Sequence, residues 1–158
     1  MPKIDMPNWQ KSAGKAHPIS GQNDGPYEER VLGELAGLSN LGVRMEKLPP
    51  GSASSHRHWH ETEDEFLMMI SGELVLIEDD ETLLKPGDCA AWRAGSPVAH
   101  CLKNKSDQDA TYLIVGANKP HDCVTYPDHN IVYNRDESKR WFTRIDGTPI
   151  DFKPGKRS

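Results

Sequence analysis

Two histidines separated by one residue, His58 and His60, with a glutamate five positions after the second, Glu65, are the residues of this chain best suited to chemistry. On an extended strand, side chains at i and i+2 leave the same face, with Cα atoms roughly 6.5 Å apart. Both imidazoles can then lean toward one ion. Imidazole and carboxylate together suit Zn, Fe, Ni, Cu or Mn, whereas a Mg or Ca site is built mainly from oxygen. His56 lies two residues before His58 and can share that face, and Glu63 stands two before Glu65. Spacing alone therefore leaves two registers open, His56-His58-Glu63 and His58-His60-Glu65. Either is half of a metal site.

The elements that would position these residues are short. Leu41, Val43 and Met45 alternate with Gly42, Arg44 and Glu46, and that segment stops at Pro49-Pro50-Gly51. Further apolar runs cover 66–70, 73–77, 89–92 and 111–115. They are separated by Ser71-Gly72, Asp79-Asp80, Pro86-Gly87-Asp88 and Arg93-Ala94-Gly95-Ser96-Pro97. Many short strands with regular turn signals predict an all-β sandwich or barrel. No segment predicts a long amphipathic helix. Residues 1–29, rich in Pro, Gly, Asn and Ser, read as an arm that the body or a partner chain must tie down. Near the other end, 130–134 and 140–145 predict a hairpin joined by 135–139, followed by a turn at Asp146-Gly147-Thr148-Pro149.

A chain of 158 residues can bury one real core, so one domain is expected. The 19 Lys+Arg against 24 Asp+Glu give a net charge of -5, and the basic residues are scattered except for a short tail at 153–157. Nothing predicts a nucleic-acid surface. The N-terminus lacks an apolar signal core and no run approaches a membrane span, so a soluble cytoplasmic protein without a membrane partner is expected. Cys89, Cys101 and Cys123 are an odd number without CxxC spacing, which disfavours a disulfide framework and a thiolate zinc site.

A third histidine, His100, follows the turn at Pro86-Gly87-Asp88 and the next strand. Gly51, His58, His60, Glu65 and Gly72, then Gly87, Gly95, His100 and Asn104, closely resemble the two motifs of the cupin superfamily. The first motif matches throughout, and only the His58-His60-Glu65 register keeps its distance to Gly72. The second departs from the usual form: Arg93 stands where many cupins have proline, and the gap from Gly95 to His100 is two residues longer. The match spans about 41–117, and Arg57-His58-Trp59-His60 with Glu63-Asp64-Glu65-Phe66 is most similar to small single-domain bacterial cupins.

The resemblance implies an all-β, double-stranded jelly-roll β-barrel at 30–118, between the N-terminal arm at 1–29 and a C-terminal β extension at 119–158. It also implies one divalent transition metal, Zn, Fe, Ni or Mn, held inside by His58, His60, Glu65 and His100. Alternation is compatible: His58 and His60 would share the interior, Trp59 would face away, and Leu67 and Met69 would follow Glu65 inward. Four protein ligands leave positions open for a small-molecule substrate if the ion is octahedral.

Metal-assisted proton chemistry on a small oxygenated compound, such as isomerisation or epimerisation of a sugar or sugar phosphate, is the leading expectation. His56, Glu63 and Tyr112 are candidate acid/base groups. Arg57, Arg93 and Lys103 are candidate anchors for an anionic group. Trp92 is a packing residue that can double as a substrate wall. A non-haem iron dioxygenase needs the same ligands; an apolar pocket built from Leu67, Met69 and Trp92 would favour it, whereas converging cations and a base favour the isomerase. A non-catalytic module binding a small ligand or metal is the third reading. Pairing through sheet edges, aided by the N-terminal arm, predicts a homodimer.

Overall fold

The computed structural model describes residues 3–14, 16 and 21–151; His17, the tail at 153–157 and the first two residues of the arm lie outside the described residues. Among the described residues fourteen strands follow one another. They are β1 (Gln10–Ser12), β2 (Tyr27–Val31), β3 (Leu41–Leu48), β4 (Trp59–His60), β5 (Glu65–Ser71), β6 (Leu74–Ile77) and β7 (Glu81–Leu84). Then come β8 (Cys89–Trp92), β9 (Cys101–Lys103), β10 (Ala110–Ala117), β11 (His121–Tyr126), β12 (Ile131–Asp136), β13 (Lys139–Thr143) and β14 (Pro149–Ile150). One short helix, α1 (Leu32–Leu35), joins β2 to β3. The strands predicted at 66–70, 73–77, 89–92 and 111–115 are β5, β6, β8 and β10.

Pairing runs β1-β2-β3-β10-β5-β8 in a six-stranded sheet, β14-β13-β12-β11-β4 in a second and β7-β6-β9 in a third. Every ladder is antiparallel. The architecture is a jelly roll. Its core gathers Leu48, Leu67, Met69, Leu74, Leu76, Leu102 and Tyr112; each such leucine contributes about 1.5–3 kcal/mol by leaving water. Leu67 and Met69 point inward at 1% exposure each, while Phe66, Met68 and Ile70 stand on the outer face at 40%, 38% and 44%.

Strand β3 reverses the usual polarity. Its polar series Gly42, Arg44 and Glu46 lines the interior cavity, opposite Gly116, Ile114 and Tyr112 of β10. Leu41 is 47% exposed instead. A polar stripe facing inward is a departure from core packing, and it marks a cavity that holds something polar.

The arm is tied to its own body: β1 pairs with β2 and β2 with β3. It therefore extends the chain's own sheet, with β1 at the edge. The C-terminal hairpin is tighter than the spacing predicts. Strands β12 and β13 pair from Val132↔Thr143 to Asp136↔Lys139, so only Glu137 and Ser138 turn the chain, with Glu137 at φ 47°. Strand β11, which the sequence does not announce, pairs Val124 with His60 and Thr125 with Trp59. It fastens the extension to the histidine strand.

Gly72, between β5 and β6, has φ +71°, and a Cβ there would lie 2.6 Å from the Asp109 carbonyl oxygen and 2.7 Å from Ala110 Cα. Left-handed backbone alone costs a non-glycine residue about 1–2 kcal/mol. Gly72→Ala is expected to lower Tm by about 5 °C or more in a thermal melt; an unchanged Tm would contradict this account of the turn.

Candidate metal centre

His58 and His100 face each other across an isolated antiparallel bridge, with His58 N–H donating to the His100 carbonyl (3.1 Å) and His100 N–H to the His58 carbonyl (2.9 Å). His60 follows on β4, and Glu65 opens β5. The ligand-type atoms of His58, His60 and Glu65 lie within 4.8 Å of one another. His100 joins through Glu65, its Nε2 being 2.8 Å from Glu65 Oε2.

Each ring is oriented through Nδ1. His58 Nδ1 donates to the His56 carbonyl (2.8 Å), His100 Nδ1 to the Val98 carbonyl (3.1 Å), and His60 Nδ1 to Asp122 Oδ2 (2.6 Å). These contacts orient each ring through Nδ1, which is how metal-bound histidines are commonly held. Trp92 stacks on His100 with centroids 3.6 Å apart and planes 6° from parallel, and its Nε1 donates to Glu78 Oε1 at 2.7 Å. His100 Nε2 and the Glu65 carboxylate share a hydrogen bond at 2.8 Å, so the two groups stand close enough to bind one cation between them. The residues present fit one transition metal, the chemistry that three imidazoles and a carboxylate select.

Burial lowers the His58 pKa to about 4, with the neighbouring His60 charge adding to the effect, so this ring is neutral near pH 7. For His60, burial is outweighed by the Asp122 hydrogen bond and by the charges of Glu65, Asp122 and Glu63, and its pKa is raised. Glu65, where burial opposes ionisation, is nevertheless held below the usual carboxylate range by the His100 hydrogen bond and the surrounding imidazoles. Asp122 is likewise held low against its burial by His60 and the Thr62 N–H.

His60, Glu63 and Asp122 form a second group within 4.8 Å. Its carboxylates already have partners: Asp122 Oδ1 accepts from Thr62 N–H (3.0 Å), and Glu63 Oε1 from Lys119 N–H (2.7 Å) and Arg135 Nη2 (2.6 Å). This group reads as the support of His60.

Beside the histidines lies a cavity of about 330 Å³, lined by His58, Glu65 and His100 together with Glu63, Trp92 and Tyr112. Those sequence-predicted residues are brought together. The others are not. His56 Nε2 lies 3.0 Å from the Gln22 carbonyl and its ring packs edge-on against His129; it does not line this cavity but borders an adjoining one with His58, Arg44 and Glu46. Arg57 donates to Asp128 and Asp79 on the far side of its strand, and Lys103 lines that same separate cleft. Arg93 is exposed and borders a shallow depression with Phe66 and Ala91. None of the three expected cations lines the central cavity.

Four polar residues that sequence reasoning missed take their places. Arg44, Glu46 and Arg135 line the cavity, and Asp122 orients His60. For Arg44 and Glu46 the signal was present in the alternation along β3, had its polar face been taken as the inner one. Asp122 and Arg135 had none, since their positions depend on how β11 and β12 dock. Tyr112 on β10 is fully buried and donates its hydroxyl to Glu46, its cross-strand neighbour on β3.

Fold and site together define a jelly-roll protein with three histidines and a glutamate converging beside one polar cavity. The chain belongs to the cupin superfamily. The cupin domain family model matches residues 44–116. A sugar phosphate isomerase of the cupin superfamily from Silicibacter pomeroyi is 37% identical, with a TM-score of 0.82 over 94% of this chain and 96% of that one. A predicted oxalate decarboxylase from Thermotoga maritima is 28% identical, with a TM-score of 0.52 over 59% of this chain and 81% of that one. The polyketide cyclase RemF from Streptomyces resistomycificus, 16% identical with a TM-score of 0.58 over 75% of this chain and 80% of that one, shares the fold. No curated protein matches the sequence.

Proposed function

We propose that this chain is a metal-dependent isomerase or epimerase acting on a small oxygenated substrate, a sugar or sugar phosphate, with the ion held by His58, His60, Glu65 and His100. The observation that carries the reading is the content of the cavity: Glu46, Glu63, Tyr112, Arg44 and Arg135 share it with the histidines. Leu67, Leu102 and Ile114 line part of the wall, but a pocket for a purely apolar oxygenase substrate would not carry five ionisable side chains. The likeness to the Silicibacter pomeroyi enzyme supports the same reading.

The ion, when bound, polarises a carbonyl and its neighbouring hydroxyl and so acidifies the hydrogen on the carbon between them. Glu46 is the base that takes this hydrogen as a proton and returns it to the substrate. Tyr112 holds that carboxylate in place through its hydroxyl. Burial, then the adjacent Glu46 charge, pushes the Tyr112 pKa well above its ordinary 10, so the phenol stays protonated and remains a donor. Glu63, bound by Arg135 and the Lys119 N–H, is the less available carboxylate.

Elemental analysis of protein purified without added metal, followed by incubation with hexose and pentose phosphates in D2O, tests the proposal. Bound metal at one equivalent and deuterium at the carbon next to the carbonyl are expected. Bound iron with substrate-dependent oxygen uptake and no deuterium incorporation would replace the isomerase by a dioxygenase. Metal with neither activity would leave a binding module.

The chain acts as a single domain in the cytoplasm, a reading supported by three free cysteines of which Cys89 is exposed. It pairs as a homodimer. With the arm on its own sheet, the surface that supports pairing is the outer face carrying Phe66, Met68 and Ile70. Met68→Glu is expected to shift the mass measured by light scattering from two chains to one; a monomeric native protein would refute the dimer.

A further inference from the structure

We infer that Arg135, carried into the cavity by the C-terminal extension, anchors the anionic group of the substrate together with Arg44. The inference rests on the proposed reading of the cavity and adds to it the residues that select a phosphorylated or carboxylated substrate over a neutral one. Arg44 comes from β3 and Arg135 from β12, so two guanidiniums from different sheets line one space of about 330 Å³.

Neither is fully engaged within the protein. Arg135 Nη2 donates to Glu63 Oε1 at 2.6 Å, yet its Nε is buried without a hydrogen-bond partner. Leaving a desolvated donor of a charged group unpaired costs more than a hydrogen bond returns, and a buried ion pair is by itself weak evidence of a stabilising role. Arg44 Nη1 lies 3.5 Å from Glu29 Oε2 with 42% of its side chain exposed, a loose pairing. Glu63, by contrast, also accepts from the Lys119 N–H, so it keeps a partner if Arg135 turns to a ligand. The fork of an arginine matches phosphate and carboxylate oxygens in pairs, which a lysine does not.

Arg44 and Arg135 are the cationic side chains on the wall, apart from the histidines. The side chains of Arg135 and Glu63, at 24% and 12% exposure, sit where water screens them little.

The test is calorimetric titration of the protein with inorganic phosphate, a hexose phosphate and the same hexose without phosphate, each in metal-loaded and metal-stripped form. Arg135→Met is expected to weaken binding of both phosphate compounds at least tenfold while leaving the neutral hexose and the bound-metal content unchanged. Arg135→Lys should recover part of the loss, Arg44→Met should weaken phosphate less, and Arg93→Ala should have no effect. Unchanged phosphate affinity in Arg135→Met would overturn the anchor and leave the metal centre standing. So would loss of metal or of neutral-hexose binding in that variant together with Arg135→Lys, which would mark Arg135 as a structural residue. Native protein that binds phosphate through Arg135 but retains no metal would instead uphold the anchor and defeat the proposed reaction.

Discussion

His60→Ala is expected to remove most of the bound metal while the jelly roll stays folded, and His100→Ala to do the same. Neither ring belongs to the apolar cluster that packs the interior, so His60→Ala deletes a ligand and little packing, while His100→Ala also removes the ring stacked on Trp92 and should cost some stability. Removing an outer-shell partner of a metal ligand typically weakens affinity 10–100-fold, and a ligand itself should cost more than about 100-fold. Asp122 gives the comparison on this chain. It holds His60 Nδ1 at 2.6 Å, so Asp122→Asn should lie between the native protein and His60→Ala, with a loss of about 10–100-fold. Elemental analysis after dialysis, paired with circular dichroism, separates ligand loss from unfolding. Native metal content in both histidine variants would refute the site.

Acid should reproduce the effect of these substitutions, because a ligating imidazole must be neutral. A raised pKa means the proton is held more firmly, so it competes with the ion at higher pH than an unperturbed ring would allow. His60 is in that position and His58 in the opposite one, with a pKa near 4. Metal affinity is therefore expected to begin falling as pH drops through a range above the ordinary histidine value of 6.5, with His58 contributing only near pH 4. Stoichiometric metal retained at pH 4 would argue against histidine ligation.

The metal-type residues were legible because their chemistry follows from strand geometry: a period of two puts His58 and His60 on one face whatever the rest of the fold does. The short strands were legible for the same reason, each being bounded by its own Gly, Pro or Asp turn. What escaped depends on contacts distant in sequence. Asp122 reaches His60 only because β11 pairs with β4. Arg135 reaches Glu63 across seventy-two positions of sequence. The cations chosen by nearness along the chain, Arg57, Arg93 and Lys103, do not line the cavity, and Arg57 is turned to Asp79 and Asp128 instead. On strand β3 the alternation was legible but not which face lines the cavity, since apolar residues on one face ordinarily mark the buried side. Here Leu41 on that face is 47% exposed, while Gly42, Arg44 and Glu46 on the other line the cavity.

Glu46→Gln is expected to lower turnover about 10²–10⁴-fold, the usual contribution of a positioned general base, with metal content and phosphate affinity unchanged. Glutamine keeps the shape and can still accept from Tyr112, so the loss isolates proton transfer from positioning. Tyr112→Phe should act more weakly and differently. It removes the donor that fixes the carboxylate, yet preserves the fully buried ring at 1% exposure and hence the fold. Stability supplies a second readout. A carboxylate held partly out of water beside Glu65 is an electrostatic cost that glutamine relieves, so Tm in Glu46→Gln should stay level or rise, as when a functional charge is removed from a site. Deuterium incorporation at the substrate carbon and turnover must fall together in Glu46→Gln, because one group handles that proton in both directions. If incorporation persists at the native rate, Glu46 is not the base, and Glu63 becomes the carboxylate to replace next.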